Sequence, residues 1–131
     1  MLPFTLDTVR LSLHILAVCV WIGGQLVVAA AVPVLREIGD DAPRLVARRF
    51  GQVAWPAFGV AVVTGIWNIL SLPSGQTFEY NVTLGVKLLL VVASGVAAFV
   101  HQNATTPALR GATGGIGLIA ALGALVMGVM L

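Results

Sequence analysis

Long stretches without Asp, Glu, Lys or Arg alternate with short polar segments along the whole chain. Four such stretches cover residues 11–35, 50–78, 88–109 and 111–131. Each can supply the roughly 20 apolar residues that cross about 30 Å of hydrocarbon. Because apolar residues do not alternate with polar ones as in a barrel strand, the backbone is expected to form its hydrogen bonds within helices. The pattern predicts an all-α membrane protein, an antiparallel bundle of four transmembrane helices.

The polar segments between these stretches set the predicted helix boundaries. Turn and helix-start residues, including Asp40, Pro43 and Pro73, mark the connections. No hydrophilic domain is attached, so residues 1–131 are predicted to form a single four-helix transmembrane domain. The predicted helices cover residues 8–36, 48–72, 84–103 and 112–131.

Composition supports the membrane interpretation and excludes one class of partner. The chain is 59% hydrophobic and 9% charged, whereas soluble domains are about 25% charged. The net charge is only +2, and no basic run is interleaved with aromatic residues, so nucleic acid is excluded as a partner. The expected partner is the lipid bilayer, with a homo-oligomer or a larger assembly left open.

The distribution of basic residues predicts the orientation. The first and third connections hold most of them, and the opposite side has only Arg10 and Lys87. Basic residues favour the cytoplasmic side. We therefore expect an integral protein of a prokaryotic-type inner or plasma membrane with both termini outside. The basic residues of the two connections are Arg36, Arg44, Arg48, Arg49 and Arg110.

Helix one carries a polar stripe on an otherwise apolar surface. At about 100° per residue, His14, Trp21 and Gln25 fall within about 40° of one another. On helix two, Thr64 and Asn68 align in the same way. Polar side chains inside a membrane normally face the bundle interior. These faces predict a pocket among the helices, with a packed core as the alternative.

Lys87 is the only lysine of the chain and begins an apolar stretch. A charged side chain within the hydrocarbon costs about 2.5–3.5 kcal/mol and normally faces a partner or a cavity. Helices one and three enter from the same side, which places His14 and Lys87 at a similar depth. His101 is expected to lie roughly 20–25 Å deeper than His14, so the two imidazoles cannot hold one haem iron.

These residues support three hypotheses about function. In the first, His14 is the single axial ligand of a haem b, Trp21 lies against its ring, and Lys87 pairs with a propionate, ligates the iron or carries a proton. In the second, His14 acts with the thioethers of Met127 and Met130 on copper. In the third, small residues on helix four dock a structural accessory subunit onto a larger complex. Alternatively, His14 is hydrogen-bonded to Asn68 or the backbone, and Lys87 extends to the interface.

Several segments resemble known membrane proteins. Leu13-His14-Ile15 with Trp21-Ile22-Gly23-Gly24 resembles the first helix of the HemJ-type protoporphyrinogen IX oxidases and of copper-resistance protein D (CopD-like) domains. Val86-Lys87-Leu88 is similar to the start of helix three of the oxidases. The resemblance to the copper-resistance group is carried mainly by helix one. Helix two of the oxidases is similar to Arg48-Arg49-Phe50, Pro56-Ala57 and Thr64-Gly65.

The resemblance to the oxidases implies a specific activity. It implies haem b bound through His14, a catalytic role for Lys87 and oxidation of a tetrapyrrole with electrons passed to a respiratory membrane partner. The leading prediction is therefore a haem b-binding protein in tetrapyrrole oxidation or electron transfer, with an oxidoreductase activity left open. The alternatives are CopD-like copper handling or a structural accessory subunit of a larger membrane complex. The predicted cofactor-binding residues are His14, Trp21, Gln25, Asn68 and Lys87.

Overall fold

The computed structural model describes residues 3–131 and forms four α-helices, with no strand in that range. All four helices are long and apolar enough to cross a membrane. This confirms the predicted all-α membrane class, and the four helices are consistent with a four-helix membrane bundle. Helix bounds are α1 Leu6–Ile38, α2 Ala42–Leu70, α3 Phe78–Asn103 and α4 Pro107–Met130.

Each helix begins earlier than the charge-free stretches predict. The side chains of Thr5, Thr77 and Thr106 accept hydrogen bonds from the first turns of α1, α3 and α4, which stabilises helix starts within polar sequence. In α2, Pro43 occupies the first turn, where its missing N–H has no cost. The polar segments therefore contribute helix ends as well as turns.

The chain divides into two compact units, Met1–Leu72 and Pro73–Leu131. The first pairs α1 with α2 and the second pairs α3 with α4. Both pairs are antiparallel, because contacts join early residues of one helix to late residues of the next. In the first, Arg10 bonds Ser71; in the second, Lys87 lies against Gly128.

Aromatic side chains hold the first pair together. Trp21 is only 6% exposed, with its ring centroid 5.5 Å from that of Trp55 and 4.4 Å from that of Phe58. The ring of Phe50 lies directly on Gly24, where a side chain would collide with it. Large rings therefore fill the space between α1 and α2.

Small residues hold the second pair together. Ser94 and Ala97 of α3 are buried, as is Gly117 of α4. A Cβ built on Gly117 would lie 3.3 Å from the Cβ of Ala97, so the two backbones approach closely. The small-residue face of α4 is thus covered by α3, and this face gives no support to the docking of an accessory subunit. Its other buried members are Ala120, Ala121 and Ala124.

Candidate metal-binding site

A row of polar side chains crosses the interface between α1 and α2. We call it the polar seam; it consists of Arg10, His14, Thr64, Asn68 and Ser71. At one end, Arg10 donates to the Ser71 hydroxyl over 2.5 Å and pairs with Asp7 at 3.1 Å. The Arg10 guanidinium also lies 5.8 Å from the Trp67 ring centroid, a distance at which cation–π attraction operates. This arginine therefore links the start of α1 to the end of α2.

The central contact of the polar seam joins His14 to Thr64. The Nδ1 atom of His14 lies 2.9 Å from the Thr64 Oγ1, and the same oxygen lies 2.6 Å from the Val60 carbonyl oxygen. A hydroxyl has one proton, and a carbonyl oxygen only accepts. The Thr64 proton therefore goes to Val60, and Oγ1 accepts the Nδ1 proton of His14. With that proton on Nδ1, the nitrogen that acts as a base in the neutral ring is Nε2.

This arrangement orients an imidazole in the way that metal sites do. Histidines that ligate metals usually donate their other ring N–H to an acceptor, which fixes the tautomer and the ring direction. Thr64 is 4% exposed, so its hydroxyl is held within the pair. A Cβ built on Gly65 would lie 3.3 Å from the His14 Cε1, so the ring rests against the α2 backbone. The structure assigns His14 a defined orientation through Thr64, which the sequence had aligned with Asn68 but not included among the site residues.

Asn68 lies one turn beyond Thr64 on α2. Its Oδ1 is buried and has no hydrogen-bond partner in the structure of residues 3–131, and the same holds for Nε of Arg10. Such atoms are exceptional in native proteins, where buried polar groups are almost always paired. Asn68 thus stays a candidate for contact with a polar ligand, although the recorded partner of His14 is Thr64.

The structure places Trp21 and Gln25 farther along the same face of α1. Trp21 belongs to the aromatic cluster with Trp55 and Phe58. The Gln25 side chain donates to the Trp21 carbonyl oxygen over 2.9 Å, so that hydrogen bond remains within its own helix. From the rise of about 1.5 Å per residue, Trp21 lies roughly 10 Å along the axis from His14. Their contact with a cofactor stays a prediction.

Lys87 and the methionines belong to the second pair. Lys87 is half-buried, and its Nζ lies 3.2 Å from where a Cβ of Gly128 would be. Met127 is half-buried beside that glycine, whereas Met130 is 65% exposed. The absence of a side chain at Gly128 thus gives the lysine room against α4. The catalytic role of Lys87 stays a prediction.

His101 has a structural partner at the connection between α3 and α4. Its Nδ1 donates to the Arg110 carbonyl oxygen over 2.7 Å, and Arg110 donates to the Ala104 carbonyl oxygen over 2.8 Å. A Cβ on Gly114 would lie 2.9 Å from the same Nδ1. These contacts tie the end of α3 to the start of α4, in keeping with a residue at a helix end.

His14 does not belong to a cluster of metal-binding side chains in the described part of the chain. Within residues 3–131, no three or more His, Cys, Asp or Glu side chains form a group that could hold a metal ion. Cys19 of α1 is exposed. The first pair also has an apolar groove of about 230 Å³, below the roughly 300–1,000 Å³ of typical ligand pockets. The groove is apolar, and His14 is not among the residues that line it. The groove is lined by Leu13, Leu16, Ala17, Val20, Val53, Ala57 and Val60.

A family comparison adds an independent finding. The family model described as copper resistance protein D matches residues 44–131. No curated protein and no solved structure matches the chain. The match covers α2 to α4, so the expectation that this resemblance lies mainly in helix one is wrong. No comparison supports the assignment to the HemJ-type oxidases. Since the match includes most of the residues and all four helices can span a membrane, the chain belongs to the copper resistance protein D family.

Proposed function

We propose that this protein handles copper ions within the membrane, with copper as its cargo and His14 as a contact point. The observation that carries the proposal is the hydrogen bond from His14 to Thr64, which presents Nε2 as the basic nitrogen of the ring. Imidazole is a good ligand for copper. The name of the family, copper resistance protein D, supports this choice of metal.

The small donor set favours passage of copper over permanent storage. A conducting site has to bind an ion firmly enough to admit it and weakly enough to release it. A single oriented imidazole, without a cluster of three or more His, Cys, Asp or Glu in the described part of the chain, meets that condition. Cu(I) suits an apolar span better than Cu(II), because the cost of removing an ion from water rises steeply with its charge.

Thioether groups supply the soft ligands that Cu(I) prefers. Met127 and Met130 are the candidates in the second unit, with Met127 the less exposed of the two. If both termini lie outside, as the arginines predict, His14 lies in the outer half of the membrane and meets copper that enters from that side. The orientation and the methionine contacts are part of the proposal.

Copper transport by proteoliposomes tests the role of His14. We expect His14→Ala to lower the copper-dependent flux at least tenfold and Thr64→Val to lower it less, since the valine keeps the shape but loses the acceptor. His101→Ala is the control, because it removes the other imidazole of the chain. A His14→Ala protein that folds and transports like the wild type would remove His14 from the mechanism.

Haem b is the second candidate, and the same tautomer favours it. The Nε2 atom that would contact copper is also the atom that ligates haem iron. This candidate includes the predicted tetrapyrrole oxidation or electron transfer. Absorption spectra of protein produced with ample haem separate the two candidates. A Soret band that disappears in His14→Ala would favour haem, whereas bound copper without that band would favour the copper function.

A further inference from the structure

The start of α2 forms a basic surface away from the polar seam. A depression of about 230 Å³ is lined by Asp41, Arg44, Leu45 and Arg48. We call it the basic depression. Arg44 and Arg48 are four residues apart, and therefore their side chains project from one face of the helix. Both are exposed, and Leu45 is 64% exposed.

The arginines of this surface are not neutralised by ion pairs. The pair between Arg10 and Asp7 is the one ion pair within residues 3–131. Arg44 and Arg48 therefore lack a carboxylate partner, although Asp41 borders the same depression. Two positive side chains and one negative side chain leave one positive charge there. A ligand with a single negative charge matches that balance.

The chemistry of the lining residues indicates which monoanion fits. Guanidinium groups bind phosphate oxygens through paired hydrogen bonds. A phosphodiester carries one negative charge, whereas a free phosphate group carries about −1.5 to −2 at neutral pH and is repelled more strongly by Asp41. The exposed Leu45 adds an apolar contact that a free phosphate cannot use. Since α2 is long and apolar enough to span a membrane, its polar start is expected to lie at headgroup level.

We propose that the basic depression binds the phosphodiester of an anionic phospholipid, with Arg44 and Arg48 holding the phosphate and Leu45 contacting the glycerol or the acyl chain. This site is separate from His14 and does not depend on the copper function. Phosphatidylglycerol is a suitable probe because its headgroup carries one negative charge. Phosphatidylcholine has the same phosphodiester, but its cationic choline is repelled by the arginines.

The test measures lipid preference of the full chain in detergent. Native mass spectrometry gives the ratio of the binding constants for phosphatidylglycerol and phosphatidylcholine. We expect Arg44→Gln/Arg48→Gln to lower that ratio about tenfold, since each basic residue near an anionic surface contributes roughly a fivefold effect and Asp41 offsets part of it. The matched control is Arg36→Gln/Arg49→Gln, which removes the same charge from exposed positions outside the depression. It should change the ratio less than twofold.

Two further arms identify the source of the phosphate. Leu45→Gln should weaken binding of phosphatidylglycerol several-fold. Inorganic phosphate at millimolar concentration should not compete with the lipid. Equal losses in both double variants, or an unchanged ratio in Arg44→Gln/Arg48→Gln, would overturn the proposal. Full competition by inorganic phosphate would overturn the choice of a lipid. Arg44→Lys/Arg48→Lys retains the charge and should keep most of the preference, which gives a second reading if the glutamine variant fails to fold.

Discussion

The two helix pairs are packed by side chains of very different size. Large rings separate α1 from α2, with Trp21 buried against Trp55 and Phe58. Small residues bring α3 against α4, with Ser94 only 1% exposed. The polar seam therefore shares its interface with large rings, whereas α3 meets α4 through small residues.

Removal of a buried aromatic ring should have the largest effect on the stability of one helix pair relative to the other. Trp21→Ala is expected to destabilise the first pair by about 3–5 kcal/mol, because it leaves a large cavity, and to leave the second pair intact. Hydrogen exchange measured helix by helix in detergent would show faster exchange in α1 and α2 alone. The control Trp67→Ala removes a ring that is 41% exposed and should have a much smaller effect. Equal acceleration in all four helices would show that the pairs do not unfold separately.

Adding bulk to the second pair should have an intermediate effect. Gly117→Val places methyl groups against Ala97, and overpacking of this kind costs about 1–3 kcal/mol. The measurement is the midpoint of unfolding in a dodecyl sulfate titration. Gly115→Val is a matched control, since a Cβ on Gly115 has no atom within 4 Å. If both valine variants behave alike, close packing is not what stabilises the second pair.

The smallest effect on stability is expected from a substitution where the α2 backbone lies against the His14 ring. In Gly65→Ala, the new methyl would lie 3.3 Å from the His14 Cε1, so the ring has to shift by a few tenths of an ångström. We expect a several-fold loss of copper transport, because ligand orientation controls metal affinity, with stability changed by less than about 1 kcal/mol. Gly59→Ala is the control, as nothing lies within 4 Å of its Cβ. Transport equal in the two variants would contradict a role for the ring orientation.

Hydropathy alone was sufficient to predict the four helices and the fold class. The length of a charge-free stretch depends only on the sequence, and the membrane sets how much length is needed. The first residues of the helices were harder to predict from the sequence. The capping residues Thr5, Thr77 and Thr106 lie in polar segments, where a helix cap and a turn have the same composition.

The candidate site could be predicted only in part. Helical periodicity correctly grouped His14 with the polar face of α1, and it aligned Thr64 with Asn68. It could not show that Thr64 is the hydrogen-bond partner of His14. That contact depends on the register between α1 and α2, which is set by how Trp21 and Phe50 pack. The proposed meeting of His14 with Lys87 stays a prediction, since these residues belong to different units.

The region shared with the family begins at residue 44, so it includes the Thr64 hydroxyl but not the imidazole of His14. The acceptor therefore lies inside the matched region, and the ring that it orients lies outside it. Under the proposed copper function, a substitution at position 14 is expected to change which ion the protein accepts without altering any residue of the matched region.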